Sequence, residues 1–137
     1  MSESNKDILR AGYAAFNRQD IPGIMGMFDE NIEWTEPEWV YGPPGGTLHG
    51  RDEVLHRVFE PISKDYDSLE LDPREYYGEG DTVVVVGSFK VRPKGVSPTL
   101  DVPFAHVWQL RDGKCVSMRN FIDVAELYER QELRRAA

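Results

Sequence analysis

Hydrophobic residues recur at helical spacing through Ile8, Leu9, Ala11, Gly12, Tyr13, Ala15 and Phe16, which predicts a first helix. Ser4 opens it, with Asp7 three residues on as a capping-box partner. Asp20 caps a second, short helix whose first turn contains Pro22 and whose buried side carries Ile21, Ile24, Met25, Met27 and Phe28. After a break at 29–31 the pattern alternates over 32–36. Ile32, Trp34 and Glu36 then share one face of a strand, and Glu33 and Thr35 the other. Residues 37–50 read as a loop rich in proline, glycine and aromatics, and loops of that length in small domains are often functional. Val54, Leu55, Val58, Phe59 and Ile62 restore a helical period over 51–64, with Pro61 kinking or ending it.

The second half predicts strands at 68–77, 82–91, 100–110 and 114–122, the last two joined by a type I′ turn at Asp112-Gly113. A short helix closes the chain over 123–132. Helices first and antiparallel strands later make an α+β fold in a single domain spanning 1–137. With Arg111 opposite Lys114, strict alternation puts Ala105, Val107 and Gln109 on one face with Val116, Met118, Asn120 and Ile122. Phe104, His106, Trp108 and Leu110 then share the other face with Cys115, Ser117, Arg119 and Phe121; a bulge would reverse this locally. Both faces are apolar enough to be covered. One packs on the helices, and the other is expected to meet a second subunit, giving a homodimer through the outer sheet face.

Composition narrows the function classes. The 137 residues are 40% hydrophobic and 29% charged, an ordinary globular balance. A net charge of −8 argues against nucleic acid and against an anionic membrane surface. Cys115 stands alone, so no internal disulfide and no cysteine metal cluster is expected. His49 and His56 have no third ligand spaced to complete a zinc site. No metal and no cofactor is expected. With no leader-like start and no apolar run of membrane length, the expected location is the cytoplasm.

The runs AAFNRQDIPGIMGMFDENIEW, LHGRDEV and VPFAHVWQLRDGKCVSMRNFID resemble the nuclear transport factor 2-like superfamily, closest to its SnoaL-like polyketide cyclases and ketosteroid isomerases. The resemblance implies a cone-shaped fold in which three N-terminal helices back a curved sheet, with a deep pocket between them. It places the isomerase's general base at Glu36, immediately before Pro37. Ungapped matching puts Gly12 and Ala105 where the isomerase has its oxyanion donors, with Tyr13 one position away. Asn120 resembles the last-strand aspartate of the related epoxide hydrolases, and His106 and Asp123 are candidates for the histidine and aspartate of the cyclases.

These residues define the expected site. A carboxylate desolvated in an apolar pocket gains a raised pKa and can work as base or acid. Glu36 is therefore the leading candidate, supported by Asn120, Tyr13, His106 and Asp123. Trp34, Phe16, Val58, Phe59, Ala105, Val107, Met118 and Ile122 are expected to line the pocket, with Trp39 and Tyr41 as a lid. Bland readings stand beside these: Asp123 with Glu126 is a helix cap, and His106 with Arg119 is an interface pair. The expected activity is proton transfer on a small hydrophobic carbonyl compound, of isomerase or cyclase type. The alternatives are a non-catalytic module that binds a hydrophobic metabolite, and a homodimeric association domain.

Overall fold

The computed structural model describes residues 2–39, 42, 45–96, 98–123 and 125. Helix α1 spans Ser2–Asn17, and α2 spans Ile21–Met27. Strand β1 (Phe28–Glu36) follows at once, so the predicted break at 29–31 lies inside a strand whose pairing is irregular between Phe28 and Glu33. Asp20 caps α2 as predicted, its Oδ1 accepting from the Gly23 amide at 3.0 Å. Helix α1 starts two residues before Ser4, so that residue lies inside the first turn. Asp7 turns instead to Arg10, at 2.9 Å on the exposed side.

The expected 37–50 loop contains a short strand, β2 (Gly46–His49), which pairs antiparallel with β1. Residues 51–65 are helical but interrupted. Helix α3 (Arg51–Val54) widens into a π turn over Leu55–Phe59, and α4 (Ile62–Asp65) follows Pro61. The Glu60 amide reaches back to the Leu55 carbonyl, the five-residue step of a π turn. Pro61 has no N–H and crowds the preceding turn of any helix that runs into it, which accounts for a break at this point.

Four long strands complete the sheet: β3 (Tyr66–Glu79), β4 (Thr82–Pro93), β5 (Leu100–Arg111) and β6 (Lys114–Ile122). The six-stranded order is β2-β1-β6-β5-β4-β3, antiparallel throughout except that β1 and β6 run parallel. The parallel pair sets Trp34 beside Met118, and so brings the first strand against the last. Asp112 and Gly113 both have positive φ, as the predicted type I′ turn demands.

The predicted hairpin register holds only next to that turn. Arg111 pairs with Lys114 and Leu110 with Cys115, but Gln109 then pairs with Ser117, so Val116 is an extra residue in a bulge. Beyond it Trp108 faces Met118, His106 faces Asn120 and Phe104 faces Ile122. The two faces therefore exchange members. His106, Trp108 and Phe104 join Met118 and Asn120 on the inner face, while Ala105, Val107, Arg119 and Phe121 point outward.

The inner face carries the core. Val83, Val85, Val91, Val102 and Cys115 are completely buried in one core with Leu9, Ile24 and Val54 from the helices and Phe28 from the start of β1. Two asparagines fix α1 over the far edge of the sheet. Asn17 exchanges two hydrogen bonds with the Leu71 backbone, at 2.7 and 2.9 Å, and Asn5 donates to the Gly80 carbonyl at 3.1 Å. This docking sets the depth at which Tyr13 enters the interior. Among the described residues no helix is long and apolar enough to cross a membrane.

Candidate active site

Between the helices and the inner sheet face lies a cavity of about 120 Å³. Its wall is largely aromatic: Tyr13, Phe16, Phe28, Trp34, Phe59 and Trp108 all contribute. The polar side chains on the wall belong to Tyr13, Glu36, His106 and Asn120, with Tyr66 and the indoles of Trp34, Trp39 and Trp108 around them.

Glu36 ends β1 on the same face as Ile32 and Trp34, as the alternation predicts, and is 7% exposed. Two positions back along the strand, Trp34 Nε1 donates to Glu36 Oε1 at 2.7 Å. From the neighbouring strand, Asn120 Nδ2 donates to Oε2 at 2.8 Å. Burial raises the carboxyl's pKa from its ordinary 4.5, and the bonds from Asn120 and Trp34 draw it back part of the way. No cation neutralises the group within the hydrogen bonds and ion pairs of the described residues, so its charge, when present, rests on two N–H donors.

Tyr13 and His106 form a second polar pair. The Tyr13 hydroxyl lies 2.6 Å from His106 Nδ1, and Trp108 Nε1 donates to the same hydroxyl at 3.0 Å. The two rings lie nearly parallel, 5° apart, and Phe104 stacks on the imidazole with 3.9 Å between centroids. Burial pushes His106 down to about 3, opposed by an interaction with Asn120, so the imidazole is neutral at physiological pH. Burial also raises the Tyr13 hydroxyl well above its ordinary pKa, so it keeps its proton.

The structure gathers some of the expected residues and parts others. Glu36, Asn120, Tyr13, His106, Trp34, Phe16, Val58, Phe59 and Met118 all line the cavity. Ala105 and Val107, expected on the wall, point outward because of the bulge, and His106 and Trp108 take their places. The pairing of His106 with Arg119 is overturned by the same bulge: Arg119 lies opposite Val107 on the outer face, its guanidinium over Phe121. Ile122 is half-buried on the inner face outside the cavity wall. Asp123 is exposed and away from the cavity, and its Oδ1 accepts from the Ala125 amide as a cap does; its partner Glu126 lies outside the described residues. Tyr41 also lies outside them, while Trp39 is buried against Phe89 and does line the cavity.

Gly12 and Tyr13 both line the cavity, and the first-helix hydroxyl comes from Tyr13. A Cβ at Gly12 would stand 2.4 Å from Met27 Sδ and Cε, so Met27 occupies the space that a side chain there would need. Sequence reasoning missed Trp108 and Tyr66 as members of the site. Trp108 was hidden by the bulge in β6, and Tyr66 by the late start assigned to β3. Burial pushes the Tyr66 hydroxyl up to about 12, and the charge of Glu36 adds to the rise. Among the described residues no group of three histidine, cysteine or acidic side chains could hold a metal ion.

The fold and the site together define an α+β domain with a buried carboxyl on the wall of an aromatic cavity. The SnoaL-like domain family matches residues 9–118, and the chain belongs to it. Its fold is that of nuclear transport factor 2-like proteins. One such protein of unknown function from Burkholderia pseudomallei is 30% identical, with a TM-score of 0.81 over 92% of this chain and 95% of that one. TerC, co-crystallised with polyporic acid, is 31% identical, with a TM-score of 0.80 over 92% and 96%. A further relative from Burkholderia xenovorans is 27% identical, with a TM-score of 0.78 over 94% and 96%. No curated protein matches the chain.

Proposed function

We propose that this protein is an acid–base enzyme, of isomerase or cyclase type, acting on a small hydrophobic carbonyl compound with its own side chains alone. The observation that carries the reading is Glu36: a carboxyl with no counter-cation among the described residues, held by two N–H donors on the wall of an apolar cavity. A carboxylate so placed is a stronger base than one in water, and its conjugate acid is available nearer neutral pH. Glu36 takes a proton from the carbon next to the carbonyl. The C–H electron pair becomes a C=C bond and the carbonyl electrons move onto oxygen. The carboxylic acid then returns the proton to another carbon, which completes an isomerisation. In a cyclising substrate the enolate carbon attacks a second carbonyl instead.

The charge on the substrate oxygen needs a donor. Asn120 Nδ2 has two hydrogens and Glu36 uses one, so the second is free for that oxygen. The cavity size indicates the scale of the ligand. An apolar cavity of about 150 Å³ accommodates benzene, so about 120 Å³ suits a single ring, or one ring of a larger compound that extends through the mouth. A relative at 31% identity co-crystallised with polyporic acid supports an organic ligand in this fold.

A second reading is a binding module for a hydrophobic metabolite. It is favoured by the hydrogen bond between Tyr13 and His106 Nδ1, because a Tyr13 proton given to that nitrogen is not available to an oxyanion. A thermal-shift panel of single-ring ketones, enones and phenols against wild type and Glu36→Gln tests the site. A stabilising compound whose effect changes in Glu36→Gln supports the placement; stabilisation indifferent to Glu36→Gln counts against it.

The outer sheet face supports a homodimer. Val84, Val86, Ala105 and Val107 lie half-buried there, and Phe121 is 51% exposed. Apolar surface of this kind is commonly covered by a partner. The lone, buried Cys115 suits a reducing compartment, and the cytoplasm remains our proposed location.

A further inference from the structure

The hydrogen bonds around Tyr13 favour one arrangement of protons. Trp108 Nε1 can only donate, so the Tyr13 oxygen accepts from it. His106 Nδ1, at 2.6 Å, is the acceptor for the Tyr13 proton in the arrangement that uses the hydroxyl as both acceptor and donor. A neutral imidazole that accepts at Nδ1 carries its proton on Nε2. Across the β5–β6 pair, His106 stands opposite Asn120, and both line the cavity.

Asn120 has a direction too. Its NH2 group faces Glu36 Oε2, where an ionised carboxylate requires a donor, and this turns Oδ1 the other way. Oδ1 is buried and has no partner of normal hydrogen-bond geometry, a costly state for an amide oxygen. Asn120 favours the protonated imidazole of His106, as its amide oxygen would and its NH2 group would not. With Nδ1 engaged by Tyr13, Nε2 is the His106 nitrogen left to face the Asn120 amide across the strand pair.

We infer that Trp108, Tyr13, His106, Asn120 and Glu36 form a one-way relay, in which the Tyr13 proton fixes the His106 tautomer, His106 Nε2–H fixes the Asn120 amide, and that amide sets the basicity of Glu36. Tyr13 and His106 are positioning residues for Glu36, not donors to the substrate. The inference concerns the site of the proposed activity, yet it holds for the resting protein whether or not a substrate is turned over. Without the Tyr13 hydroxyl, His106 is free to move its proton to Nδ1. Its bare Nε2 then draws the Asn120 NH2 group towards itself, and Oδ1 turns to face the Glu36 carboxylate. A donor is exchanged for an acceptor, and the carboxyl pKa rises.

The groups facing Glu36 are limited. Tyr66 on β3 feels its charge, but burial holds that hydroxyl protonated up to about 12. His106 is neutral throughout the range of interest. Neither changes charge while Glu36 titrates near or above 4.5.

The test uses nuclear magnetic resonance and needs no substrate. In wild type labelled with 15N-histidine, His106 is expected to show the neutral Nε2–H tautomer between pH 5 and 8 (about the span over which an unperturbed imidazole titrates). An Nδ1–H tautomer or a charged ring would overturn the relay. In protein labelled at the glutamate carboxyl carbon, Tyr13→Phe should raise the Glu36 midpoint by about one pH unit or more. The control Tyr76→Phe leaves it unchanged, since Tyr76 touches the Tyr13 ring edge-on without joining the relay. An unmoved midpoint in folded Tyr13→Phe, or an equal rise in Tyr76→Phe, would overturn the relay. Should Tyr13→Phe fail to fold, the wild-type tautomer decides alone. Because no readout involves turnover, failure of the relay leaves the catalytic reading standing, and the reverse also holds.

Discussion

Asn120 on the last strand donates to Glu36 on the first, Nδ2 to Oε2 at 2.8 Å, across the one parallel pairing of the sheet. The bond joins chain segments 84 residues apart. It depends on the parallel register of β1 and β6 and on the bulge that turns Asn120 inward. Replacing Asn120 by Leu removes the donor without adding a charge. The Glu36 midpoint is expected to rise, and a carbonyl ligand to bind more weakly by about 10-fold, which matches roughly one hydrogen bond. Carboxyl-carbon titration and calorimetry check the two parts.

The two buried titratable groups bend the stability profile in opposite directions. Glu36 has a folded pKa above its unfolded value of 4.5, so the folded state holds the extra proton. Its contribution to stability is fully present below 4.5 and is lost as pH rises through the raised folded value. Glu36→Gln should flatten the fall in unfolding free energy above 4.5, as read by urea titration at successive pH values.

His106 has a folded pKa of about 3 against 6.5 unfolded, so the unfolded state holds the extra proton. Its contribution is present above 6.5 and is lost as pH falls towards 3, a loss on the order of several kcal/mol in all. His106→Gln should remove much of that acid sensitivity, again read by urea titration across pH. The same depressed pKa predicts a rate or binding profile without a histidine titration near neutral pH.

Phe28 lines the cavity and touches Trp34, Phe59 and Trp108. Phe28→Ala should cost about 3–5 kcal/mol by chemical denaturation. In the surviving folded protein, thermal shifts should favour compounds one ring larger than those that stabilise wild type. Asp20→Ala should cost about 1 kcal/mol through the lost α2 cap, with ligand binding unchanged.

Glu36 was legible in the sequence because Ile32, Trp34 and Glu36 alternate with Glu33 and Thr35, and period two alone decides a strand's faces. His106 was not. Its face depends on Val116, an extra residue that neither composition nor alternation marks. The signal lay in β6 itself, where the buried Cys115 and Met118 stand three apart, a spacing that a regular strand cannot place on one face. Strand β2 escaped notice because four residues among glycines and prolines carry no readable period. The π turn escaped because helical periodicity barely differs across one widened turn, and Pro61 gave the position of the break without its form. Asp20 and the Asp112-Gly113 turn were readable because each rests on one local hydrogen bond or one pair of backbone angles.

The proposed role of Glu36 is tested most directly by deuterium exchange. A single-ring ketone that stabilises wild type is incubated in D2O with wild type or Glu36→Gln, and loss of the proton next to its carbonyl is followed by proton nuclear magnetic resonance. General-base catalysis by Glu36 predicts exchange well above buffer in wild type and a loss of about 100-fold or more in Glu36→Gln. Exchange at the buffer rate for a compound whose binding depends on Glu36, or equal exchange by the two proteins, would contradict it and leave a binding module in its place.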